Sequence, residues 1–511
     1  MQNKNKIIEI EYLKKSKTSI AIIVFFLLLA FGERLISTSF SIDTELYLNS
    51  DDGSAIWWIA LNRWALVFIN KILSLVKLVI YQSNFLTVFF MLVYSVLLCY
   101  LFYLHIPKKW EKTYLKYQFI FPIIFITNPI FAEQYNFINQ NVGVSLGICI
   151  STLSVILFYY ADKLKDTKHY LLIILSSFIA AFSFGIYQSI VPLYILIIAC
   201  TYLLECLKSN NSSWKYLVNN ILRFILIFII YFIISKIVDG GKNSYLSSAW
   251  STTGIGCLKN IYYVVVEMLK CNGIFYNIGY PIAIVLLTIM NIYLLIKKKN
   301  NLGTIISSFG IIIAPIYIMI ITGVNQLKRT QFNYSFVIGF IILLFIIFIV
   351  EHKKLKFLGY LLIIFSLGLA YRQSNITGKL FASDNIRFKT DTILATKIQN
   401  DIEHKEWYDK NKEYTLILLG KQECKSSILY LKGEVIGHSF FEFDYQYIYG
   451  PNQRANAFLQ TLGYNYKMPN VEEFEKAKEI VKEKDLASYP KDDYILKIEN
   501  DTIIVRLSEE I

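Results

Sequence analysis

Long apolar runs separated by short polar loops organise the first 371 residues of this 511-residue chain. A membrane span needs roughly 20 mainly apolar residues. On that length the pattern predicts about eleven spans, near residues 18–36, 85–104, 118–133, 142–160, 169–184, 188–206, 217–238, 277–296, 303–322, 333–350 and 357–371. The third and fifth are short, which suits a tilted or partly re-entrant path. Ala55–Ile80 is also apolar enough to span, yet Arg63, Asn70, Ser74 and Lys77 recur at helical spacing along one stripe. It therefore reads as an amphipathic helix lying in the interface, with Trp57, Trp58 and Trp64 at headgroup level. Cys257–Lys270 reads as a second, shorter interfacial or re-entrant helix. After Ala370 the apolar runs stop. Phe381–Glu406 predicts a helix, Tyr414–Leu419 a strand, and Tyr494–Glu499 with Thr502–Leu507 a hairpin joined by Asn500 and Asp501. The expected architecture is a polytopic α-helical membrane domain over residues 1–371, with an interfacial helix near 55–80, followed by a small α/β domain over 372–511.

Charge orients this plan. The chain is 55% hydrophobic and 17% charged, with a net charge of +13. Its lysines gather in alternate loops: Lys4, Lys6, Lys14, Lys15 and Lys17 at the start, then Lys108/Lys109/Lys112/Lys116, Lys163/Lys165/Lys168, Lys208/Lys215, Lys297/Lys298/Lys299 and Lys353/Lys354/Lys356. The other loops carry Asp43, Glu45, Asp51, Asp52, Glu133 and Asp239. The positive-inside rule then puts the N-terminus in the cytoplasm and the C-terminal domain outside. The same clustering argues against nucleic acid as the partner of the positive charge. Lys14, Lys15 and Lys17 precede a span too long for a cleavable signal, so this segment reads as a signal anchor. Seven cysteines show no paired metal-ligand spacing; Cys257 and Cys271 share one predicted outer loop, where a disulfide and two free thiols are both open readings.

The first outer loop concentrates acids just past the first span: Asp43 and Glu45, then Asp51 and Asp52. Carboxylates are too costly for hydrocarbon, so they sit where water meets headgroups. Glycosyl transfer needs a carboxylate to take the proton of the attacking hydroxyl, and a low-dielectric boundary raises a carboxyl pKa towards that task. A solvated acidic loop is the plain alternative. Arg63 suits a phosphate and Trp64 a sugar face, against snorkelling Arg and interfacial Trp as the bland reading. Tyr187 and Gln188, in the turn Phe184–Ser189, are candidate sugar or phosphate ligands, or simply turn residues satisfying buried backbone. Arg329, in the run Lys328–Phe332, and Arg372 are cations on the predicted outer side, fit either for a leaving phosphate or for a peripheral ion pair. No Walker motif, GxGxxG or nucleophile elbow occurs, so a donor used outside would arrive already lipid-linked.

Three stretches carry a family likeness: SIDTELYL after the first span, WWIALNRWALVFINKIL after it, and SFGIYQS after the fifth span. They resemble the GtrII-type glucosyltransferases of bacterial surface polysaccharides. The resemblance covers most of the membrane part and is only general in the C-terminal domain. It implies a GT-C-like enzyme that takes a sugar, commonly glucose, from an undecaprenyl-phosphate sugar. The acceptor is a surface polysaccharide of the O-antigen, teichoic acid or capsule type, on the outer face of the cytoplasmic membrane, and transfer proceeds with inversion. It also implies a functional link to a sugar-charging transferase and to a flippase. The family's acidic position falls on Asp43 and Glu45, its Arg-Trp pair on Arg63 and Trp64, and its Tyr-Gln on Tyr187 and Gln188; which acid is the base stays open. No metal is demanded, although Asp51 and Asp52 leave a divalent cation open. Tyr445, Tyr447 and Tyr449 are expected either to stack on acceptor sugar or to pack in a core.

Two rivals stand beside this reading. A polysaccharide polymerase would use lipid-diphosphate-linked chains. A transporter or flippase would place ionisable residues inside its spans, whereas here the span centres are nearly free of charge.

Overall fold

A computed structural model describes residues 10–49, 53–76, 79–238, 240, 254–297, 301–352, 355–424, 430–444 and 449–510. Among them ten helices are long and apolar enough to cross a membrane: Lys17–Ile36, Ile80–His105, Asn141–Ala161, Asp166–Ile186, Ile190–Ser209, Trp214–Ile237, Gly279–Ile296, Leu302–Thr322, Phe332–Val350 and Lys356–Glu403. The chain is a multi-pass membrane protein. The difference from eleven lies at 118–133, which forms two short helices, Ile120–Ile126 and Ile130–Tyr135. Pro129 explains the break, since it lacks an N–H and pushes Asn128 out of the helical region. The loosened backbone is satisfied locally: the Asn128 side chain accepts from Ile130 N at 3.0 Å, and Thr377 Oγ1 donates to the Thr127 carbonyl at 2.8 Å. Both short helices are entirely buried, which is where irregular backbone at membrane depth is tolerated.

The helix Phe332–Val350 has nearly every residue buried. It packs on Ile120–Ile126, and Gly339 permits the close approach: a Cβ there would stand 2.6 Å from the Phe121 carbonyl oxygen. Phe102, Phe121, Phe125 and Phe336 interlock beside it edge to face. Trp214–Ile237 is the least buried span, yet Arg223, its tenth residue, is sealed by a paired Asp162 carboxylate (Arg223 Nη1 to Oδ2, 3.1 Å).

Two sequence expectations change form. The segment 55–80 is not one amphipathic helix but two, Gly53–Ala60 and Trp64–Leu75, with Asn62 at φ 60° between them. The break takes Arg63 off the expected stripe. Trp57 is half-exposed, whereas Trp58 is buried and Trp64 partly so. The expected last span and the expected helix after it are one uninterrupted helix, Lys356–Glu403. The helix expected over Cys257–Lys270 is present as Gly254–Lys270. All seven cysteines are unpaired, Cys257 and Cys271 included.

The chain divides into two compact units. One comprises residues 1–36, 55–135 and 140–378, and the other residues 37–54, 136–139 and 379–511. The sequence reading placed the division at 371/372 and left the first loop with the membrane part. The second unit holds a three-stranded sheet of β1 (Thr415–Leu419), β2 (Ile495–Ile498) and β3 (Thr502–Arg506), in the order β1-β3-β2. β2 and β3 form the expected antiparallel hairpin, with Ile495 opposite Val505. Asn500 (φ 58°) and Asp501 (φ 52°) supply the two left-handed residues that a tight hairpin turn matching strand twist requires. β1 runs parallel to β3, which needs a long crossover; the helices Asn452–Thr461 and Val471–Glu483 lie within it. Ile417, Leu419 and Ile504 of the sheet bury against Phe474, Ala477 and Val481 of the second helix.

Candidate active site

In the second unit the loop before the acids is clamped at Phe40. Its ring packs on Phe388, Phe440 and Phe458 at centroid distances of 4.9, 5.8 and 6.1 Å. Its carbonyl accepts from Arg387 Nη2 at 2.7 Å. Arg387 is wholly buried and ion-paired to Asp384 (2.7 Å) and Asp391 (3.5 Å), while Asp391 accepts from Ser439 Oγ (2.6 Å) and Phe440 N (3.1 Å). Buried charges persist only when paired and hydrogen-bonded in this way. Three residues on, Asp43 takes φ 73°, a left-handed backbone that favours glycine, and begins the short helix Thr44–Leu48.

That turn sends two carboxylates to one cation. Arg454 Nη1 lies 2.7 Å from Asp43 Oδ1 and 3.0 Å from Glu45 Oε1, and Arg454 Nε donates to Asp444 Oδ2 at 2.8 Å. The planar guanidinium donates from two edges at once, which a lysine does not. The two acids differ sharply in access: the Asp43 side chain is 44% exposed and that of Glu45 is 0%. Glu45 Oε2 is buried with no hydrogen-bond partner, as are Ser41 Oγ and Thr44 Oγ1. Burial, with the Asp43 charge adding to it and Arg454 opposing, pushes the Glu45 carboxyl up to about 7. Burial disfavours the charge on Arg454, but Asp43, Glu45 and Asp444 outweigh it and hold its pKa above the usual guanidinium value. With three carboxylates on one guanidinium, a proton shared at Glu45 near neutral pH relieves the excess negative charge.

In the membrane unit the structure joins two of the motifs read from sequence. Arg63 Nε donates to Gln188 Oε1 and Arg63 Nη1 to Gln140 Oε1, both at 3.2 Å. The guanidinium carbon stands 5.0 Å from the Trp58 ring centroid and 4.6 Å from that of Tyr187. Gln188 in turn donates to the Leu61 carbonyl, which the helix break leaves open. A cation set between aromatic faces at a span end is a fit receptor for an anion. Trp64 turns elsewhere: its Nε1 donates to Ser235 Oγ at 3.2 Å, and its indole fills the space over Gly185, where a Cβ would lie 2.5 Å from the ring.

The remaining candidates separate. Lys328 Nζ pairs with Glu267 at 2.8 Å and reaches Tyr276 OH at 3.0 Å; Arg329, beside it, is partly exposed. Arg372 is exposed on the long helix Lys356–Glu403. Asp51, Asp52, Tyr445 and Tyr447 lie outside the described residues, and Tyr449 packs edge-on to Phe474 in the core of the second unit, 5.5 Å between centroids. Among the described residues no His/Cys/Asp/Glu group is arranged to hold a metal ion; the convergent carboxylates at Asp43, Glu45 and Asp444 enclose Arg454 instead. Sequence reasoning missed Arg454 and Asp444. The signal was faint: Arg454 and the fully buried Phe458 are four residues apart, so a cation sits on an apolar helix face.

No curated protein and no solved structure matches the chain. The family model for glucosyl transferase GtrII matches residues 32–349, more than half of the chain and a stretch that includes Asp43, Glu45, Arg63, Trp64, Tyr187, Gln188 and Arg329. The chain therefore belongs to the glucosyl transferase GtrII family.

Proposed function

We propose that this glycosyltransferase moves a hexose, glucose by its family, from an undecaprenyl-phosphate sugar to a bacterial surface polysaccharide. The reaction takes place on the outer face of the cytoplasmic membrane, with the N-terminus cytoplasmic and the C-terminal unit extracytoplasmic. It is of the GT-C type and inverts the anomeric centre. An acceptor hydroxyl attacks the anomeric carbon, the bond from that carbon to the phosphate oxygen breaks, and the polyprenyl phosphate leaves with the bond electrons. The acceptor proton goes to a carboxylate.

One observation carries the assignment of that carboxylate. Of the two acids in the first-loop motif, Asp43 reaches solvent and Glu45 does not. A general base must come within hydrogen-bond distance of the proton it takes. In this reading Asp43 is the base, and Glu45 and Arg454 are positioning residues that fix its carboxylate. Arg63 is the membrane unit's candidate for the donor phosphate, supported by its aromatic setting and by the match of its stretch to the family. The donor must be charged by a separate sugar transferase and carried across by a flippase, because a polyprenyl-phosphate sugar is made where nucleotide sugars are found.

The test uses the full chain in proteoliposomes, supplied in parallel with polyprenyl-phosphate glucose and with a nucleotide glucose, each with a soluble fragment of surface glycan. Transfer from the lipid-linked donor alone is expected. Transfer from the nucleotide sugar, or from neither, would overturn the reading.

A further inference from the structure

The membrane unit carries a basic groove that the glycosyl-transfer reading leaves unused. Its volume is about 490 Å³, and it is lined by Lys15, Lys108, Glu111, Lys112, Leu115 and Lys116. Four ammonium groups face one carboxylate there. Lys15 is also paired with Glu11 at 2.8 Å, and Glu111 accepts from Tyr103 OH at 2.9 Å. Lys108, Lys112 and Lys116 are four residues apart, so they form one stripe along the turn Lys108–Trp110 and the helix Glu111–Tyr117. Like charges at that spacing destabilise a helix unless an anion answers them.

The groove has fixed walls. The opposite face of the same helix buries Trp110, Tyr114 and Tyr117. Its end is tied to the N-terminal segment that supplies Lys15: Tyr12 OH donates to Gln118 Oε1 at 2.6 Å, and Gln118 Nε2 donates to Ser16 Oγ at 2.9 Å. Its level is fixed as well. The span Lys17–Ile36 begins two residues after Lys15, and the span Ile80–His105 ends three residues before Lys108. The ends of two adjoining spans lie where the hydrocarbon gives way to lipid headgroups.

We infer that this groove binds the phosphate headgroup of an anionic phospholipid. Lysine is a point-charge donor suited to phosphate without fixed geometry, and basic pockets at span ends hold anionic headgroups in the same way. A lysine close to an anionic headgroup is worth roughly a five-fold gain in binding, so the stripe of three predicts a preference of up to roughly 100-fold for an anionic over a zwitterionic lipid.

The experiment is native mass spectrometry of the full chain released from nanodiscs of phosphatidylglycerol and phosphatidylcholine in equal parts. The unchanged chain is expected to retain phosphatidylglycerol selectively. The triple variant Lys108→Gln, Lys112→Gln, Lys116→Gln should lose at least ten-fold of that selectivity. A control triple variant, Lys476→Gln, Lys482→Gln, Lys484→Gln, makes the same charge change in the C-terminal unit and should keep it. Size-exclusion profiles check that each variant is folded. Unchanged retention in the groove variant, or an equal loss in the control, would overturn the inference. Complete displacement of the lipid by millimolar glycerol phosphate would also overturn it, by assigning the groove to a free phosphate.

Discussion

Replacing Glu45 with glutamine isolates the buried member of the acid pair. Glu45 is fully buried, and its carboxyl is pushed from 4.5 up to about 7. A carboxyl raised in the folded chain stabilises it fully below the unfolded pKa, and that stability is lost as pH rises through the folded value. Between pH 5 and pH 8 the loss from this one group is about 2.5 kcal/mol. The Glu45→Gln side chain keeps the shape and an oxygen for Arg454 but does not titrate, so the loss disappears. The assay is hydrogen exchange of the helix Asn452–Thr461, corrected for intrinsic rates, at pH 5, 6.5 and 8. The unchanged chain should lose about 70-fold in protection across this range relative to Glu45→Gln, the factor that 2.5 kcal/mol represents. Parallel pH profiles for the two chains would refute the claim that Glu45 is a buried acid of raised pKa held by Arg454.

Other perturbations test neighbouring parts of the account. Arg454→Met leaves Asp43, Glu45 and Asp444 facing one another and should destabilise the second unit by about 3–5 kcal/mol; Arg454→Lys, which keeps the charge but not the two-edged fork, should recover part of the melting temperature and little of the transfer rate. Arg63→Gln should raise KM for the lipid-linked donor while leaving far-UV dichroism unchanged; an unaltered KM would remove Arg63 from phosphate binding. Gly185→Ala drives a methyl group into the Trp64 indole and should lower stability by about 1–3 kcal/mol, read as a lower melting temperature in detergent. Glu442, held below the usual carboxyl range by His438 and Lys432 against its burial, contributes stability above that range which is lost on acidification through its folded pKa. Glu442→Gln should therefore flatten the acid limb of the unfolding profile.

Much of the fold was legible because the membrane writes strong rules into sequence. Length and apolarity located ten spans, and Asn500 with Asp501 between two alternating runs located the hairpin. The same rules miscounted at Pro129, where a buried, broken segment had the composition of a span, and at Asn62, where one left-handed residue split an apparently continuous amphipathic helix. Local periodicity also hid the continuity of Lys356–Glu403, since the helix changes from apolar to polar along its length without a cap or breaker. The acid motif and the Asn-Arg-Trp and Tyr-Gln-Ser stretches were visible as motifs. The meeting of Arg63 with Gln188 was not given by spacing. Nor was Arg454, which reaches Glu45 across 409 residues of chain; pairs so distant are fixed by tertiary packing, on which a single sequence is silent.

The most direct test of the central claim compares Asp43→Asn with Glu45→Gln in transfer from polyprenyl-phosphate glucose, at matched insertion and pH. If Asp43 takes the acceptor proton, Asp43→Asn should lower kcat by about 10²–10⁴-fold, and Glu45→Gln should reduce it less. Full turnover in Asp43→Asn would contradict the account, and full turnover in both variants would leave the first-loop acids without a catalytic part.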